Sequence, residues 1–196
     1  GAGLAARRAV DLARAAERRL AELERLAVTD GLTGLLNRRG LELELARVMA
    51  AARRYREKGV IIFIDLDGFK PINDTFGHSA GDAVLRHVAA LLAKTIRATD
   101  SAARLGGDEF AVLLTRTDWE NGLKRAEAFD RLINGSSVVW DGRVVTVRAS
   151  FGFQTYGPGD DLTNALRAAD HSMYATKKAR ADSGLYRARA QAHARA

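Results

Sequence analysis

The chain has 196 residues, of which 47% are hydrophobic and 28% charged, and it contains no cysteine. This composition predicts one folded domain with a short appendage. It excludes a disordered or collagen-like chain. The absence of cysteine excludes a disulfide scaffold, a cysteine nucleophile and a metal site with thiolate ligands. The net charge of +7 lies at the chain ends, because residues 29–176 hold 19 basic and 19 acidic side chains. Since a nucleic-acid-binding domain concentrates positive charge on its folded body, we expect no nucleic-acid partner.

Residues 4–28 predict a helix, because they are rich in Ala, Leu, Arg and Glu and contain no Gly or Pro. Small and apolar residues recur there every three or four positions, as in a coiled-coil seam. The seam consists of Ala6, Ala9, Ala13, Ala16, Leu20, Leu23 and Ala27. Two interpretations stay open for residues 1–28, a solvated connector helix and the stalk of a parallel dimer, and we favour the stalk.

The rest of the chain alternates helical and extended patterns. Helices are predicted at residues 37–58, from near Gly81 to 96, at 118–133 and at 160–179, and strands at 60–66, 102–105, 110–114, 138–140 and 144–155. Gly59 is expected to end the first of these helices, and residues 68–77 to form a polar loop. Turns at Gly106-Gly107 and Asp141-Gly142 predict hairpins. This order predicts an α/β or α+β class, with a central mixed sheet and flanking helices behind the helical stalk.

Four acidic side chains lie where strands end or turn. Asp65 and Asp67 lie at the C-terminal end of the first strand, and Asp108 and Glu109 lie at the tip of the first hairpin. If that hairpin lies beside the first strand, carboxylates from two elements converge, and such an oxygen cluster suits Mg²⁺ or Mn²⁺ together with phosphate oxygens. The glycines at 106–107 allow a phosphate to approach the backbone closely. A tight turn with solvated acids is the alternative.

The segment after the first strand carries groups suited to a nucleotide. Lys70, beside Phe69, can add a positive charge to backbone N–H groups that wrap phosphates. Asn73 and Asp82 can together read guanine, because a carboxylate accepts hydrogen bonds from the N1–H and the exocyclic amine of that base. A surface lysine and helix-capping side chains are the alternatives. His78 has no second histidine at metal-ligand spacing, and we expect it to be structural.

Six segments occur together in one order along the chain. They are DGLTGLLNRR at residues 30–39, DLDGFK at 65–70, ND at 73–74, GHSAGD at 77–82, RLGGDEF at 104–110 and ADHSMYATK at 169–177. In this order they resemble the GGDEF domains, the diguanylate cyclases, over about residues 29–180. The resemblance implies a palm-like nucleotidyl cyclase fold for residues 29–182, followed by a tail at 183–196.

The resemblance also implies a reaction, in which two GTP molecules condense into cyclic di-GMP and pyrophosphate. A ribose 3′-hydroxyl would attack the α-phosphate of the other GTP, with each protomer of a homodimer holding one nucleotide. Asp65, Asp108 and Glu109 are the implied catalytic residues. Two Mg²⁺ or Mn²⁺ ions per active site would be bound by Asp65, the carbonyl of Leu66, and Asp108 or Glu109.

Further site residues are carried over by position. The implied substrate-binding residues are Phe69, Lys70, Asn73, Asp82, Gly106, Gly107 and Lys177. Arg97 and Asp100 match an Arg-x-x-Asp pattern, which implies a site where cyclic di-GMP inhibits the enzyme; an ordinary salt bridge at a helix end is the alternative. Arg180-Ala181 stands where the family shows Gly-Arg, and whether Arg180 replaces the usual arginine stays open.

Two other functions stay open, a module that binds GTP or cyclic di-GMP without turnover and a cyclase for another base. Intact Asp65, Lys70, Asp108 and Glu109 favour the enzyme, and Asp82 disfavours adenine. A relative of the nucleic-acid polymerases is disfavoured by the neutral core. We expect a cytoplasmic domain of a longer protein, with an upstream sensor domain missing from this sequence and with membrane association of the parent left open.

Overall fold

The computed structural model of the protein describes residues 2–160, without the side chains of residues 2–6, 9, 10 and 21. In chain order the elements are α1 (Ala2–Val28), α2 (Arg38–Tyr55), β1 (Gly59–Leu66), α3 (Phe69–Phe76), α4 (His78–Thr95), β2 (Ser101–Gly106), β3 (Glu109–Leu114), α5 (Trp119–Asn134), β4 (Ser137–Trp140), β5 (Arg143–Thr146) and β6 (Ala149–Tyr156). The helix predicted at 160–179, the tail and the boundary at residue 182 lie outside the described residues.

The helix predicted over residues 4–28 is confirmed as α1. Four of its leucines are more than half exposed in this single chain, namely Leu12, Leu20, Leu23 and Leu26. The junction after α1 is hydrogen-bonded to the start of α2, because Asn37 donates from its side-chain amide to the carbonyls of Ala27 and Thr29. The end of α1 is therefore attached to the folded domain, while its apolar residues face solvent.

The central sheet has the strand order β2-β3-β1-β6. All three strand pairs are antiparallel, and a single isolated bridge between Leu36 and Ala103 is parallel. The predicted class, a central sheet with flanking helices, is confirmed, and the strand pairs within residues 2–160 are antiparallel. Every residue of β1 is buried, because β1 lies between two strands and under helices on both faces, which explains its continuous apolar sequence.

Alternate residues of β1 face two separate cores. Ile62 and Ile64 pack in the cluster that contains the buried faces of α4 and α5. Ile61 and Phe63 pack in the cluster built on α2. Each fully buried side chain of this size contributes about 1.5–3 kcal/mol. The two cores together fix the direction of β1, and with it the place where the strand delivers its carboxyl end.

The prediction of a polar loop at residues 68–77 was wrong, because the structure has helix α3 there. Gly68 precedes the helix with a φ of 71°, a left-handed conformation that favours glycine. Pro71 lies in the first turn, where proline is tolerated. The helix has no fully buried residue and is held by three partly buried ones, Phe69, Ile72 and Phe76. The next helix, α4, begins at His78 rather than near Gly81.

Two other boundaries differ from the predictions. Helix α2 ends at Tyr55 with Arg56 in the left-handed conformation, so Gly59 does not end it but begins β1. A Cβ on Gly59 would overlap the ring of Tyr156 and the carbonyl of Leu114, which is why glycine is needed there. The strand predicted at 144–155 is divided into β5, which pairs with β4 in a separate two-stranded sheet, and β6, which joins the central sheet.

Candidate active site

The acids of the first strand and of the first hairpin lie at the same end of two adjacent strands, β1 and β3. Asp65 of β1 is the cross-strand partner of Glu109 of β3, a pairing that separates Cα atoms by about 5 Å. The backbone N–H of Leu66 donates to the carbonyl of Asp108 at 3.1 Å. Asp65 is 3% exposed, whereas the side chain of Glu109 is 35% exposed. The predicted position of the hairpin beside the first strand is therefore confirmed, and it makes Asp65 and Glu109 cross-strand neighbours.

The turn beside these acids is made of two glycines in conformations that other residues rarely adopt. Gly106 has a φ of 150° and Gly107 a φ of 49°. A Cβ on either glycine would meet no atom within 4 Å. A β-bulge between Arg104 and Gly106 precedes the turn. Backbone conformation thus requires glycine here, and the space beside the acids is open.

Arg104 holds this turn in place. Its Nε and Nη2 atoms both donate to the carbonyl of Gly107, at 3.0 and 2.7 Å. Its Nη1 lies 3.2 Å from Oδ2 of Asp30, in a pair whose side chains are 14% and 22% exposed. Arg104 and Asp30 both belong to motifs noted in the sequence, but no role was predicted for either residue. The ion pair links the turn to the segment that follows α1.

Asp30 is itself held by Thr33, which donates to it from the backbone N–H at 2.9 Å and from the hydroxyl at 2.6 Å. Burial alone would raise the pKa of Asp30. The hydrogen bonds from Thr33 and the charge of Arg104 outweigh this burial, so the pKa lies below its ordinary value. The carboxylate is therefore stabilised in its charged form.

Two further contacts at the site were not anticipated from the sequence. Nη2 of Arg38, at the start of α2, lies 3.7 Å from Oε2 of Glu109. The hydroxyl of Ser150 on β6 donates to Asp67 at 2.8 Å. Only the sheet order, which the sequence does not state, brings β6 beside β1 and α2 over the hairpin.

The residues predicted to bind a nucleotide lie on α3 and α4. Lys70 is exposed in the first turn of α3. Asn73, one turn later, packs against Gly81 of α4, the residue before Asp82. Asp82 is 46% exposed and lies 3.9 Å from Arg86. Asn73 therefore lies beside the turn of α4 that precedes Asp82, while Lys177 lies outside the described residues.

The sequence matches the family model described as "Diguanylate cyclase, GGDEF domain" over residues 27–191. The chain belongs to this family. The response regulator PleD of Caulobacter vibrioides is 40% identical over 155 residues, which are 78% of this chain and 34% of that protein. The probable diguanylate cyclase DgcE of Escherichia coli is 36% identical over 159 residues, 81% of this chain and 14% of that protein. The chain therefore spans about a third or less of these relatives.

Solved structures of GGDEF domains share the fold. The coiled coil and GGDEF domain of DgcB from Caulobacter crescentus, in complex with c-di-GMP, matches with a TM-score of 0.80 and 31% identity, covering 90% of this chain and 95% of that one. Diguanylate cyclase SiaD of Pseudomonas aeruginosa, in complex with its activator SiaC, matches with a TM-score of 0.76 and 29% identity, covering 88% and 69%. The helix-plus-sheet architecture described above is therefore that of GGDEF structures.

The donor set of this GGDEF domain fits a divalent cation that is shared with phosphate. Within residues 2–160, no three His, Cys, Asp or Glu side chains form a cluster able to hold a metal by themselves. Asp65, the carbonyl of Leu66 and an acid of the turn offer a smaller set of oxygens. Mg²⁺ is commonly held in this way, by one or two carboxylates together with substrate phosphates.

The Arg-x-x-Asp segment of the GGDEF domain is partly a structural feature. The side chain of Asp100 is fully buried, and its Oδ2 accepts from Nη1 of Arg125 at 2.6 Å and from the backbone N–H of Arg97 at 3.1 Å. Its Oδ1 accepts from the N–H of Thr115, also at 3.1 Å. Arg97 is exposed. The partnership with Arg125, 25 residues away on α5, was not predicted from the sequence.

A cleft of about 270 Å³ lies near the opposite end of β1 from the acids. It is bordered by Arg47, Lys58, Thr99, Arg116 and Tyr156. The hydroxyl of Tyr156 donates to the carbonyl of Leu114 at 3.2 Å, and burial raises its pKa above the ordinary value. Asp65 is six positions along β1 from Gly59 at this end, a distance of roughly 20 Å. Through Thr99, the cleft adjoins the Arg-x-x-Asp segment rather than the acids.

Among residues 2–160, no helix combines the length and the apolar character needed to cross a membrane.

Proposed function

We propose that this GGDEF domain is a diguanylate cyclase that condenses two GTP molecules into cyclic di-GMP and pyrophosphate. The observation that carries the proposal is the cross-strand pair of Asp65 and Glu109 beside an open glycine turn. A buried acid next to a more exposed one gives one carboxylate suited to hold a cation and another that substrate can reach. The similarity to named diguanylate cyclases supports this reaction.

The nucleotide is proposed to lie along α3. The N–H groups of its first turn and the charge of Lys70 suit the phosphates. Asn73 and Asp82 suit guanine, because an amide and a carboxylate together complement its donors and acceptors. Phe69, Gly106 and Gly107 remain proposed substrate contacts. Lys177 remains a predicted phosphate contact.

Bond formation joins the 3′-oxygen of one GTP to the α-phosphorus of the other, and the bond to pyrophosphate breaks. A bound divalent cation supplies charge neutralisation at the phosphates and acidifies the attacking hydroxyl. Asp65, the Leu66 carbonyl and an acid of the turn would hold two such ions. We propose that Glu109, the more exposed acid of the pair, accepts the hydroxyl proton. Two such transfers close the ring.

Ring closure needs two nucleotides, and we propose that a second copy of the chain supplies the other. Each domain is proposed to hold one nucleotide. The exposed leucines of α1 suit a stalk that brings two domains face to face. Because a seam made largely of alanine buries little apolar surface, the stalk is expected to pair weakly, and specific activity is expected to rise with protein concentration.

The test is incubation with GTP and Mg²⁺ and chromatographic separation of the nucleotides. The unmodified chain is expected to form cyclic di-GMP, and Asp65→Ala and Glu109→Ala to lose at least a hundredfold of the rate, because each removes a group that acts on the reacting atoms. Glu120→Ala, which changes an exposed glutamate on α5, is the matched control.

A fusion to a dimeric zipper removes the dependence on concentration. If the fusion binds GTP and forms no product, the domain is a binding module and the cyclase proposal is wrong. If activity per chain does not change with dilution to low nanomolar concentrations of the unfused protein, the requirement for a second copy is wrong.

We also propose that cyclic di-GMP inhibits the enzyme at the Arg-x-x-Asp segment. The exposed guanidinium of Arg97 suits a phosphate or a guanine edge. A contact between Asp100 and a guanine of the product would require an accessible carboxylate, and this side chain is fully buried. We therefore assign the product contact to Arg97 and the shape of the turn to Asp100.

Arg97→Ala is expected to weaken product inhibition at least tenfold while leaving the initial rate unchanged, because the backbone N–H of residue 97 still donates to Asp100. Lys94→Ala, another exposed cation at the end of α4, is the matched control. An unchanged inhibition constant in Arg97→Ala would contradict the assignment.

The cytoplasm, where GTP is available, is the proposed location, downstream of a sensor domain in the longer protein.

A further inference from the structure

Gly81 of α4 packs directly against two side chains of α3, Asn73 and Phe69. It is buried in the first turns of α4. A Cβ built on Gly81 would overlap Oδ1 of Asn73 and would lie 3.0 Å from the Cγ of that residue and 3.1 Å from Cζ of Phe69. The amide of Asn73 therefore occupies the volume that any other residue at position 81 would fill.

The two helices differ in how firmly they are held. Helix α4 is anchored by buried residues along its length, namely Ala80, Val84, Leu85, Val88, Ala89 and Leu92. Helix α3 has no fully buried residue. The atom nearest to the added Cβ is the end of a side chain, which can rotate. A larger residue at position 81 would consequently displace the amide of Asn73 and leave the α4 backbone in place.

We infer that Gly81 is a specificity-determining positioning residue, which sets the place of the Asn73 amide and thereby the preference for guanine over adenine. The inference rests on the proposed role of Asn73 in reading the base. This role explains why a glycine occupies position 81. Helix formation does not explain it, because glycine disfavours a helix interior. A displaced amide loses its hydrogen bonds to guanine, whereas contacts to phosphates are unaffected.

The experiment measures binding of the α,β-methylene analogues of GTP and ATP, which the enzyme cannot turn over, in the presence of Mg²⁺. Gly81→Ala and Asn73→Ala are each expected to weaken binding of the guanine analogue about tenfold, the loss of one or two hydrogen bonds, and to leave adenine binding unchanged. The double variant is expected to bind as weakly as Asn73→Ala alone, because Gly81 acts only through Asn73.

Two other glycine substitutions are matched controls. A Cβ on Gly122 of α5 would overlap the buried side chain of Val60, so Gly122→Ala is expected to lower the melting temperature without changing base preference. A Cβ on Gly31 meets nothing within 4 Å, so Gly31→Ala is expected to change neither. Gly81→Ala by itself could fail to fold. In that case a folded double variant, which also carries Asn73→Ala, shows that the overlap is with Asn73.

The outcomes separate the two proposals. If Asn73→Ala binds the guanine analogue like the unmodified chain, the proposed guanine site is wrong and the inference falls with it. If Asn73→Ala weakens binding while Gly81→Ala does not, or if the two effects add in the double variant, only the inference about Gly81 is overturned.

Discussion

The β2–β3 hairpin has an acidic residue at each end, and these two residues differ in burial and in their partners. Asp100, just before β2, is fully buried and receives hydrogen bonds from Arg125 and from two backbone N–H groups. Glu109, at the turn, is 35% exposed and lies 3.7 Å from a mostly exposed Arg38. The fold uses the charge of Asp100 to join α5 and two loops, whereas it leaves the charge of Glu109 accessible to a ligand.

The strongest way to test this contrast is Asp100→Ala. The variant leaves the guanidinium of Arg125 without its carboxylate, so the free energy of unfolding is expected to fall by about 3 kcal/mol or more. Denaturant unfolding followed by circular dichroism measures this change. Glu109→Ala, the matched change at the other end, is expected to keep stability within about 0.5 kcal/mol while losing activity. Equal losses of stability in the two variants would break the comparison.

A smaller effect is expected at Asp30, which holds Arg104 and through it the turn. Because the pKa of Asp30 is lowered in the folded chain, its carboxylate contributes stability above the ordinary aspartate pKa of about 3.9, and this contribution is lost as the pH falls through the folded-state value. Asp30→Asn is expected to cost about 1–2 kcal/mol at neutral pH.

Unfolding midpoints measured between about pH 6 and pH 3 test this linkage. The difference between the unmodified chain and Asp30→Asn is expected to shrink toward the acid end. A difference that stays constant across this range would mean that the negative charge of Asp30 does not stabilise the fold.

The smallest effect is expected at Arg38. Its side chain is 57% exposed, so Arg38→Ala is expected to change the free energy of unfolding by about 0.5 kcal/mol or less. Any change is also expected to decrease at high salt, because exposed ion pairs are screened. A loss comparable to that of Asp100→Ala would mean that Glu109 is a structural residue as well.

The sequence predicted the parts of this fold that a local pattern specifies. The apolar run before Asp65 predicted a buried strand, and two glycines between short apolar runs predicted the hairpin that carries Asp108 and Glu109. These elements are specified by residues adjacent in the sequence, since a buried strand needs a continuous apolar run and a tight turn needs glycine. The class of the fold follows from their order.

Other features depend on contacts between distant segments. Helix α3 was predicted as a loop because its three anchoring aromatic and aliphatic residues lie among Pro71 and flanking glycines, which locally favour a turn. The partnership of Asp100 with Arg125 and that of Arg104 with Asp30 join residues 25 and 74 positions apart. Such pairs arise from packing of the sheet and helices, and no spacing rule along the chain specifies them.

The attachment of α1 to the domain has a geometric consequence for whatever precedes it. Because Asn37 donates to the carbonyls of Ala27 and Thr29, the last turn of α1 has a fixed rotation relative to the sheet. Each residue inserted into an α-helix turns everything before it by about 100°. Insertions of seven residues nearly restore the original phase, whereas insertions of one to six rotate the earlier part of the helix relative to the sheet. The length of α1 therefore sets an angle as well as a distance.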